Sequence, residues 1–192
     1  MKEQLAYFIK ANISNPIEEE IEAILEIFHL RQYKKGEIFK EQNKMCKEVG
    51  FIVSGSVRHF AIKHNGNEVT GRIAQKNNFV TDLISLRTKG ATPIAIMTME
   101  PTTLLVASVE DAEKLLEVNL TFNRLIREHM ADSVVEFGKL FFIFLTGTAK
   151  ERYRFILEHN PNLVKNVPLR FIASMIGITP TQLSRIRNNK ED

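Results

Sequence analysis

The sequence predicts an α+β protein with an N-terminal β-roll, a long helix and a C-terminal helix-turn-helix. Three observations support this prediction: short apolar segments broken by Gly and Asn from about residue 35 to residue 108, an apolar stripe of helical period over about 119–146, and two short amphipathic helices around Gly177. Short strands with regular turn signals are typical of sandwiches, barrels and rolls, and a period near 3.6 indicates a helix. We therefore expect two domains, 1–147 and 148–192.

The composition is that of a soluble globular protein, with 192 residues, 44% of them hydrophobic and 26% charged. No apolar run reaches about 18 residues, and the polar N-terminus lacks a cleavage signal, so we expect no membrane span and a cytoplasmic location. The single cysteine, Cys46, excludes an internal disulfide and a four-cysteine metal site.

The first thirty residues have helical spacing, and Asn15, Pro16 and Glu18 predict a capped start for the second helix. Strands are then predicted at "GEIFKE", "EVGFIVSG", "SVRHFAIK", "EVTGRIA", "TPIAIMTM" and "TTLLVAS". Between the third and fourth of these, Asn65-Gly66 predicts a type I′ hairpin turn, which needs positive φ at both residues.

A helix over "VEDAEKLLEVN" leads into about 26 further helical residues, roughly 39 Å at 1.5 Å per residue. A helix of this length extends past a small barrel, so we expect part of its apolar stripe to meet the same helix of a second subunit. The predicted dimer interface consists of Phe122, Ile126, Met130, Val134, Phe137, Phe141 and Phe144. Gly147 predicts the end of this helix.

The last 45 residues predict a helix-turn-helix. Thr148 with Glu151 and Thr179 with Gln182 form capping-box patterns, and Pro180 suits a first helical position. In the final helix Leu183 and Ile186 share an apolar face, whereas Thr181, Arg185 and Asn188 share a polar face. In such a motif the second helix enters the major groove of DNA.

Charge is unevenly distributed along the chain. Residues 148–192 contain eight Lys/Arg and four Asp/Glu, a net charge of +4, which leaves −1 for residues 1–147. Phosphate contacts supply most non-specific affinity for nucleic acid, so the basic segment coincides with the motif that would use it.

The order of helices, β-roll, long helix and helix-turn-helix resembles the Crp/Fnr family of bacterial transcription regulators, in a short form similar to Bacteroidetes members. The motifs that carry the resemblance are "KKGEIFKE", "GFIVSGSVRHF" and "FIASMIGITPTQLSRIR". The resemblance implies a cyclic-nucleotide-binding-like roll, a dimerising helix, and double-stranded DNA and a second copy as partners. RNA polymerase becomes a candidate partner as well.

The resemblance also defines an effector pocket, from which this chain departs. Members that bind cyclic nucleotides use a Gly-Glu pair for the ribose and an Arg triplet for the phosphate; here Thr81-Asp82 and Thr92-Pro93-Ile94 stand at those places. Asp82, Thr92 and the nearby Arg87 are the candidate pocket residues. Without the triplet arginine, a buried phosphate loses its bidentate partner, so we expect no response to cyclic AMP or cyclic GMP and leave the effector open.

For the DNA-binding helix the resemblance retains one base-reading position, Arg185, which we expect to bind guanine. The other predicted DNA contacts are Thr179, Thr181, Gln182, Ser184, Arg187 and Asn188, of which Arg187 is assigned to phosphate. Many relatives continue into a β-wing, whereas this sequence stops at Asp192.

Three other functions compete with a regulator. A cupin-type enzyme needs clustered histidines, but alternation sends His59 and His64 to opposite faces and no H-x-H pair occurs. A haem sensor would depend on His59 or Cys46 as axial ligand. A ligand-binding or protein-interaction module without sequence-specific DNA binding stays open as the alternative to a regulator. We expect no enzymatic activity and no resident cofactor or metal.

Overall fold

The computed structural model describes residues 1–188, apart from the side chains at positions 162, 165 and 166. The contacts among residues divide the chain into two compact units. Unit 1 contains Met1–His59 and Ile73–Met130, and unit 2 contains Phe60–Arg72 and Ala131–Asp192. The division into 1–147 and 148–192 follows the chain rather than the contacts and stays a prediction.

Two antiparallel sheets account for the strands in the described part of the chain. The first sheet has the order β1-β8-β3-β6, and the second has the order β2-β7-β4-β5. The strands are β1 (His29–Tyr33), β2 (Ile38–Lys40), β3 (Glu48–Ser54), β4 (Ser56–Ile62), β5 (Glu68–Gln75), β6 (Phe79–Val80), β7 (Ala95–Thr98) and β8 (Thr102–Ser108). With the helices before and after them, they confirm the predicted α+β fold class with an N-terminal roll.

Strand alternation directs side chains of the first sheet into two apolar clusters. Ile52 and Leu104 join side chains of the second sheet, such as Val57 and Ile96, in the cluster between the sheets. Phe51 and Leu105 point to the other face, where helices α1 (Lys2–Asn12) and α2 (Glu18–Ile27) cover them. The first turns of the long helix α5 (Leu120–Thr146) complete this second cluster.

The start of α5 is fixed by a carboxylate. Glu20 accepts hydrogen bonds from the backbone N–H of Leu120 (3.1 Å) and Thr121 (2.9 Å) and from the Thr121 hydroxyl (2.5 Å). These bonds use donors that a helix start leaves unpaired. The Thr121 hydroxyl bond is the main cause that lowers the pKa of Glu20. Helices α3 (Leu83–Thr88) and α4 (Val109–Val118) are the remaining helices of unit 1.

Two local predictions were wrong. Helix α2 begins at Glu18 after Ile17, with no side-chain cap, because Asn15 has φ +52° and turns the chain before the helix. Of the Asn65-Gly66 pair only Gly66 has a positive φ, and Lys63 pairs with Asn67, so the hairpin turn is not type I′.

Two strands were missed. β1 is an edge strand whose residues are mostly exposed and lack apolar alternation, so its pairing with β8 leaves no pattern in the sequence. β6 is only two residues long.

Unit 2 contains the C-terminal helices. They are α6 (Ala149–His159), α7 (Pro161–Asn166), α8 (Leu169–Met175) and α9 (Pro180–Asn188). The capping box of Thr148 and Glu151 is present at the start of α6, as predicted. No helix within residues 1–188 is long and apolar enough to cross a membrane.

The turn between α8 and α9 packs on the end of α5. Gly177 has φ +75°, and a Cβ added there would lie 2.8 Å from the Phe144 ring. The Arg152 guanidinium lies 4.2 Å from the centre of the same ring and donates to the carbonyl of Ile176 (3.3 Å). Phe144 is therefore held between α6 and the turn that joins α8 to α9.

The contact between Gly177 and the Phe144 ring predicts how much a methyl group at position 177 lowers the free energy of unfolding. Gly177→Ala should lower the free energy of unfolding about 1–3 kcal/mol more than Gly66→Ala, because the added Cβ also meets Phe144. Gly66 is a matched control, since it has φ +80° and an added Cβ meets nothing within 4 Å. Urea unfolding followed by circular dichroism measures both. Equal losses would show that the Phe144 contact contributes nothing.

Candidate functional site

The C-terminal helix α9 is capped as predicted. The Thr179 hydroxyl accepts from the backbone N–H of Gln182 (3.1 Å), and the Gln182 side-chain oxygen accepts from the backbone N–H of Thr179 (2.8 Å). The cap therefore uses the Gln182 oxygen and one acceptor site of the Thr179 hydroxyl. It fixes where α9 begins, and thereby the positions of the other side chains on this helix.

One face of α9 is buried against α8. Leu183 is completely buried, together with Ile172, Ala173 and Ile176 of the preceding segment. Ala173 allows the close approach of the two helices, and its carbonyl accepts from the N–H of Ile178 (3.0 Å) across the turn. The apolar half of the predicted helix pair is thus present.

The other face of α9 is exposed and polar. Its exposed residues are the predicted DNA contacts Thr181, Gln182, Ser184, Arg185, Arg187 and Asn188. Thr181, Arg185 and Asn188 share one side of the helix at i, i+4 and i+7, whereas Arg187 lies about 100° around the helix from Asn188. Lys190, which adds to the predicted basic charge, lies outside the described residues. Binding of DNA by this face stays a prediction.

A serine that the sequence did not single out positions α8. The Ser174 hydroxyl accepts from the backbone N–H of Thr70 (3.0 Å) and donates to the carbonyl of Glu68 (3.1 Å). Both groups belong to β5, the edge strand of the second sheet. One hydroxyl therefore satisfies a donor and an acceptor of a free strand edge and attaches the helix pair to the β4–β5 hairpin within unit 2.

The predicted effector residues Asp82 and Thr92 lie together, and a third residue joins them. Lys40 of β2 is 4% exposed, and its ammonium lies 3.0 Å from the Asp82 carboxylate and 2.8 Å from the Thr92 hydroxyl. It also donates to the carbonyl of Ile94 (2.5 Å). The Thr92 hydroxyl in turn donates to Asp82. Since an ammonium has three donors, all three of Lys40 are used inside the chain.

Asp82 has a second role at the start of α3, where its other oxygen accepts from the backbone N–H of Ser85 (3.1 Å). Burial alone would raise the pKa of the Asp82 carboxyl, but the hydrogen bonds from Thr92, Ser85 and Lys40 outweigh it and hold the pKa below its usual value. Asp82 is therefore a carboxylate at neutral pH.

Arg87 is not part of this cluster. It lies in the last turn of α3 with an exposed side chain, and the cation beside Asp82 is Lys40. No sequence pattern indicates that Lys40 belongs to this cluster, because a lysine in a short strand is normally exposed and its partner Asp82 lies 42 positions away.

A cleft of about 540 Å³ lies next to this cluster. Lys40 contributes to its lining, whereas Asp82, Arg87 and Thr92 do not. The lining residues are Ile38, Phe39, Lys40, Glu41, Lys44, Met45, Cys46, Lys47, Glu48 and Ser108. Both charge signs are present among them, so the lining favours no ligand class.

The residues predicted for the dimer interface separate into three groups. Phe122 is 1% exposed in the core of unit 1 and is corrected from interface to core, whereas Ile126 is only partly buried against that core and its place in the interface stays a prediction. Phe144 is 37% exposed although its ring packs on Arg152 and Gly177 of the same chain, and its place in the interface stays a prediction. Met130, Val134, Phe137 and Phe141 are exposed. A period of 3.6 marks an apolar stripe but does not tell which partner covers it.

Comparisons with known proteins agree with this fold. Residues 30–119 match the model of the cyclic nucleotide-binding domain family. No curated protein matches the sequence significantly.

Several solved structures are similar over most of their length. FixK2 from Bradyrhizobium japonicum has a TM-score of 0.72 at 18% identity, covering 85% of this chain and 84% of its own. The c-di-GMP responsive global regulator CLP from Xanthomonas campestris has 0.70 at 15% identity, covering 90% and 91%. A structure described as a Crp/Fnr family transcriptional regulator from Eubacterium rectale has 0.68 at 18% identity, covering 91% and 83%. These likenesses show the fold.

The buried ion pair predicts the effect of removing its negative charge. Asp82→Asn should lower the free energy of unfolding by about 3–5 kcal/mol at neutral pH, because Lys40 is left buried without a counter-charge while the α3 cap survives. Lys40→Met/Asp82→Asn should recover much of the loss, since no charge then remains.

The loss of unfolding free energy caused by Asp82→Asn should depend on pH. A carboxyl with a lowered pKa in the folded state stabilises the protein above its unfolded pKa, near 3.9, and the contribution disappears as pH falls through the folded value. Urea unfolding at several pH values should therefore show the difference between wild type and Asp82→Asn shrinking below about pH 4. A pH-independent difference, or a double variant as unstable as the single one, would contradict the ion pair.

Proposed function

We propose that this protein, with a cyclic nucleotide-binding domain at residues 30–119 and the fold of Crp/Fnr regulators, is a dimeric DNA-binding transcriptional regulator. We further propose that cyclic AMP and cyclic GMP do not control it. It is not expected to be an enzyme. A regulator of this type works in the cytoplasm, and RNA polymerase is its candidate protein partner.

The observation that carries the proposal is the division of α9 into two faces. Leu183 buries one face, while Thr181, Arg185 and Asn188 leave a row of donors exposed on the other. A recognition helix needs this arrangement, because its apolar side must be held by the first helix while its polar side reaches base edges. The +4 charge of residues 148–192 supports phosphate contacts around it.

Each exposed side chain is assigned a chemical role. Arg185 would read guanine, because a guanidinium donates two parallel bonds to O6 and N7. Ser184, Arg187 and Asn188 offer donors to phosphate or base edges, and Arg187 is assigned to phosphate. Thr179 and Gln182 act mainly through the cap, which orients the helix N-terminus.

The cluster of Lys40, Asp82 and Thr92 supports the absence of cyclic nucleotide binding. Thr92 stands where the resemblance places the phosphate-binding arginine, and it donates to Asp82. The cation beside it, Lys40, has its donors committed to Asp82, Thr92 and Ile94. A cyclic phosphate would therefore have to break a buried ion pair to use this ammonium.

The DNA proposal predicts two different arginine phenotypes. After selection of duplexes that the protein enriches from a random pool, Arg185→Ala should cost about 1–3 kcal/mol on the enriched operator and relax one base pair per half-site. Arg187→Ala, the matched control on the same helix, should weaken all sequences alike and lower the salt slope by about one per subunit. Fluorescence anisotropy at several salt concentrations measures both.

Two outcomes oppose this assignment. Equal losses for Arg185→Ala on operator and random DNA would show that the side chain only positions the helix. If no sequence is enriched, with or without cell extract to supply an effector, the protein-interaction module replaces the regulator.

The effector proposal has its own test. Isothermal titration calorimetry should detect no binding of cyclic AMP or cyclic GMP to the wild-type protein in the low micromolar range, because the ammonium beside Thr92 is already paired with Asp82. Low-micromolar affinity for either nucleotide would refute the proposal, and Arg87→Ala would then show whether the exposed arginine supplies the contact.

A further inference from the structure

Ser174 of α8 makes its side-chain hydrogen bonds to a strand instead of to its own helix. Its hydroxyl accepts from the backbone N–H of Thr70 (3.0 Å) and donates to the backbone carbonyl of Glu68 (3.1 Å), and we call these two bonds the Ser174 clasp. A helical serine usually bonds to a carbonyl of the preceding turn or to water, and serine is a poorer helix former than alanine. The contact with β5 therefore gives a physical reason for a serine in this seven-residue helix.

The clasp lies on the side of α8 opposite to the one that packs on α9. Ile172 is completely buried on the side towards α9, together with Leu183. At 3.6 residues per turn, Ser174 lies about 200° around the helix from Ile172. Helix α8 is therefore held from both sides, by α9 on one and by the edge of β5 on the other.

Ser174 also begins the turn that leads to α9. Its backbone carbonyl accepts from the N–H of Gly177 (3.3 Å), and the carbonyl of Ala173 accepts from the N–H of Ile178 (3.0 Å). Thr179, the next residue, provides the cap at the start of α9. Because these bonds fix the path of the turn, the place where Ser174 meets β5 determines where α9 begins.

The strand side of the clasp is buried, which makes the loss of the serine hydroxyl costly. Thr70 is only 2% exposed, so solvent does not reach its N–H while α8 is docked on β5. Without the hydroxyl, the docked position would leave this donor unpaired, whereas water could bind it once the helix pair moved away. The clasp therefore favours the docked position of α8 and α9.

The docked position leaves the polar face of α9 open. Thr181, Arg185 and Asn188 are exposed while the Ser174 hydroxyl is bound to β5. The contact of Phe144 with the turn at Gly177 is made in the same arrangement and leaves these side chains exposed as well. Docking on β5 is thus compatible with contact between α9 and DNA.

We propose that Ser174 is a positioning residue for DNA binding, and that its clasp on β5 holds α8 and α9 in the position that reads DNA. This inference rests on the DNA-binding regulator of the proposed function and specifies what holds its recognition helix. A protein whose binding-competent state is only partly populated binds with an affinity reduced by that fraction. A weaker clasp therefore lowers the affinity without removing a DNA contact.

Removal of the hydroxyl tests the clasp. On a duplex that the wild type enriches, Ser174→Ala should bind about tenfold more weakly, because the docked position leaves the Thr70 N–H unpaired. The salt slope and the base preferences should stay those of the wild type, since no phosphate or base contact is lost. Thr70→Val is the matched control, because it keeps the N–H and removes a hydroxyl that has no hydrogen-bond partner among the described residues. Its affinity, measured like that of Ser174→Ala by fluorescence anisotropy, should be unchanged.

A disulfide in place of the clasp shows whether the docked position is the one that binds DNA. The two hydrogen bonds of the clasp flank Val69, and a disulfide needs Cα atoms about 4.4–6.8 Å apart. Val69→Cys/Ser174→Cys should therefore crosslink within the chain under mild oxidation, after which thiol titration of the denatured protein detects only Cys46. The oxidised protein should bind the duplex at least as tightly as the wild type, and reduction should weaken binding about tenfold.

The possible failures are distinguishable. A double variant that forms no disulfide, or one that is oxidised and does not bind the duplex, would overturn the clasp and leave the regulator proposal standing. The same conclusion follows if Ser174→Ala binds like the wild type or changes the base preferences. A wild-type protein that enriches no duplex would refute the regulator, and the positioning role of Ser174 with it.

Discussion

The anchoring of α5 is the constraint on which the other features depend. Glu20 binds the first turn of this helix through the amides of Leu120 and Thr121, and Phe122 is buried in the core of unit 1. These contacts fix the first turns of α5 within unit 1. Further along, α5 exposes apolar side chains such as Val134 and Phe137, and in its last turn Phe144 packs on Gly177 within unit 2. One continuous helix thus contributes to the core of unit 1, carries the stripe proposed for the dimer and packs against the turn between α8 and α9.

A buried network of paired polar side chains holds separate segments of the roll together. Lys40, Asp82 and Thr92 come from three separate segments, and the ammonium joins all of them in a buried site. Burying an unpaired ammonium or carboxylate costs several kcal/mol, about the magnitude expected for an unpaired buried ion. The burial of Lys40 therefore depends on Asp82, and the burial of Asp82 depends on Lys40 and Thr92. The resulting network holds the start of α3 and the segment before β7 through contacts within the chain. This pairing is the physical reason to expect a roll that does not respond to cyclic nucleotides.

Local features were predictable from the sequence, and features that depend on distant partners were not. The caps of α6 and α9 were predicted correctly, because a capping box depends only on residues three positions apart. The same pattern at Asn15 and Glu18 failed because the positive φ of Asn15 turns the chain before the helix. β1 was missed because its edge position leaves polar side chains exposed. Lys40 was missed because its burial depends on residues about 40 to 50 positions later. Phe122 was assigned to the dimer although it is buried in the core, because helical spacing identifies an apolar stripe but gives no information about which surface covers each turn.

In the proposed regulator, two α9 helices read DNA together in a two-fold symmetric complex. Hydroxyl-radical footprinting on a duplex enriched by the protein tests it most directly, because it maps the protected backbone on both strands. We expect two protected segments centred about one helical turn apart, roughly 34 Å, and related by an inverted repeat. A single protected segment, or uniform protection that does not depend on sequence, would contradict it.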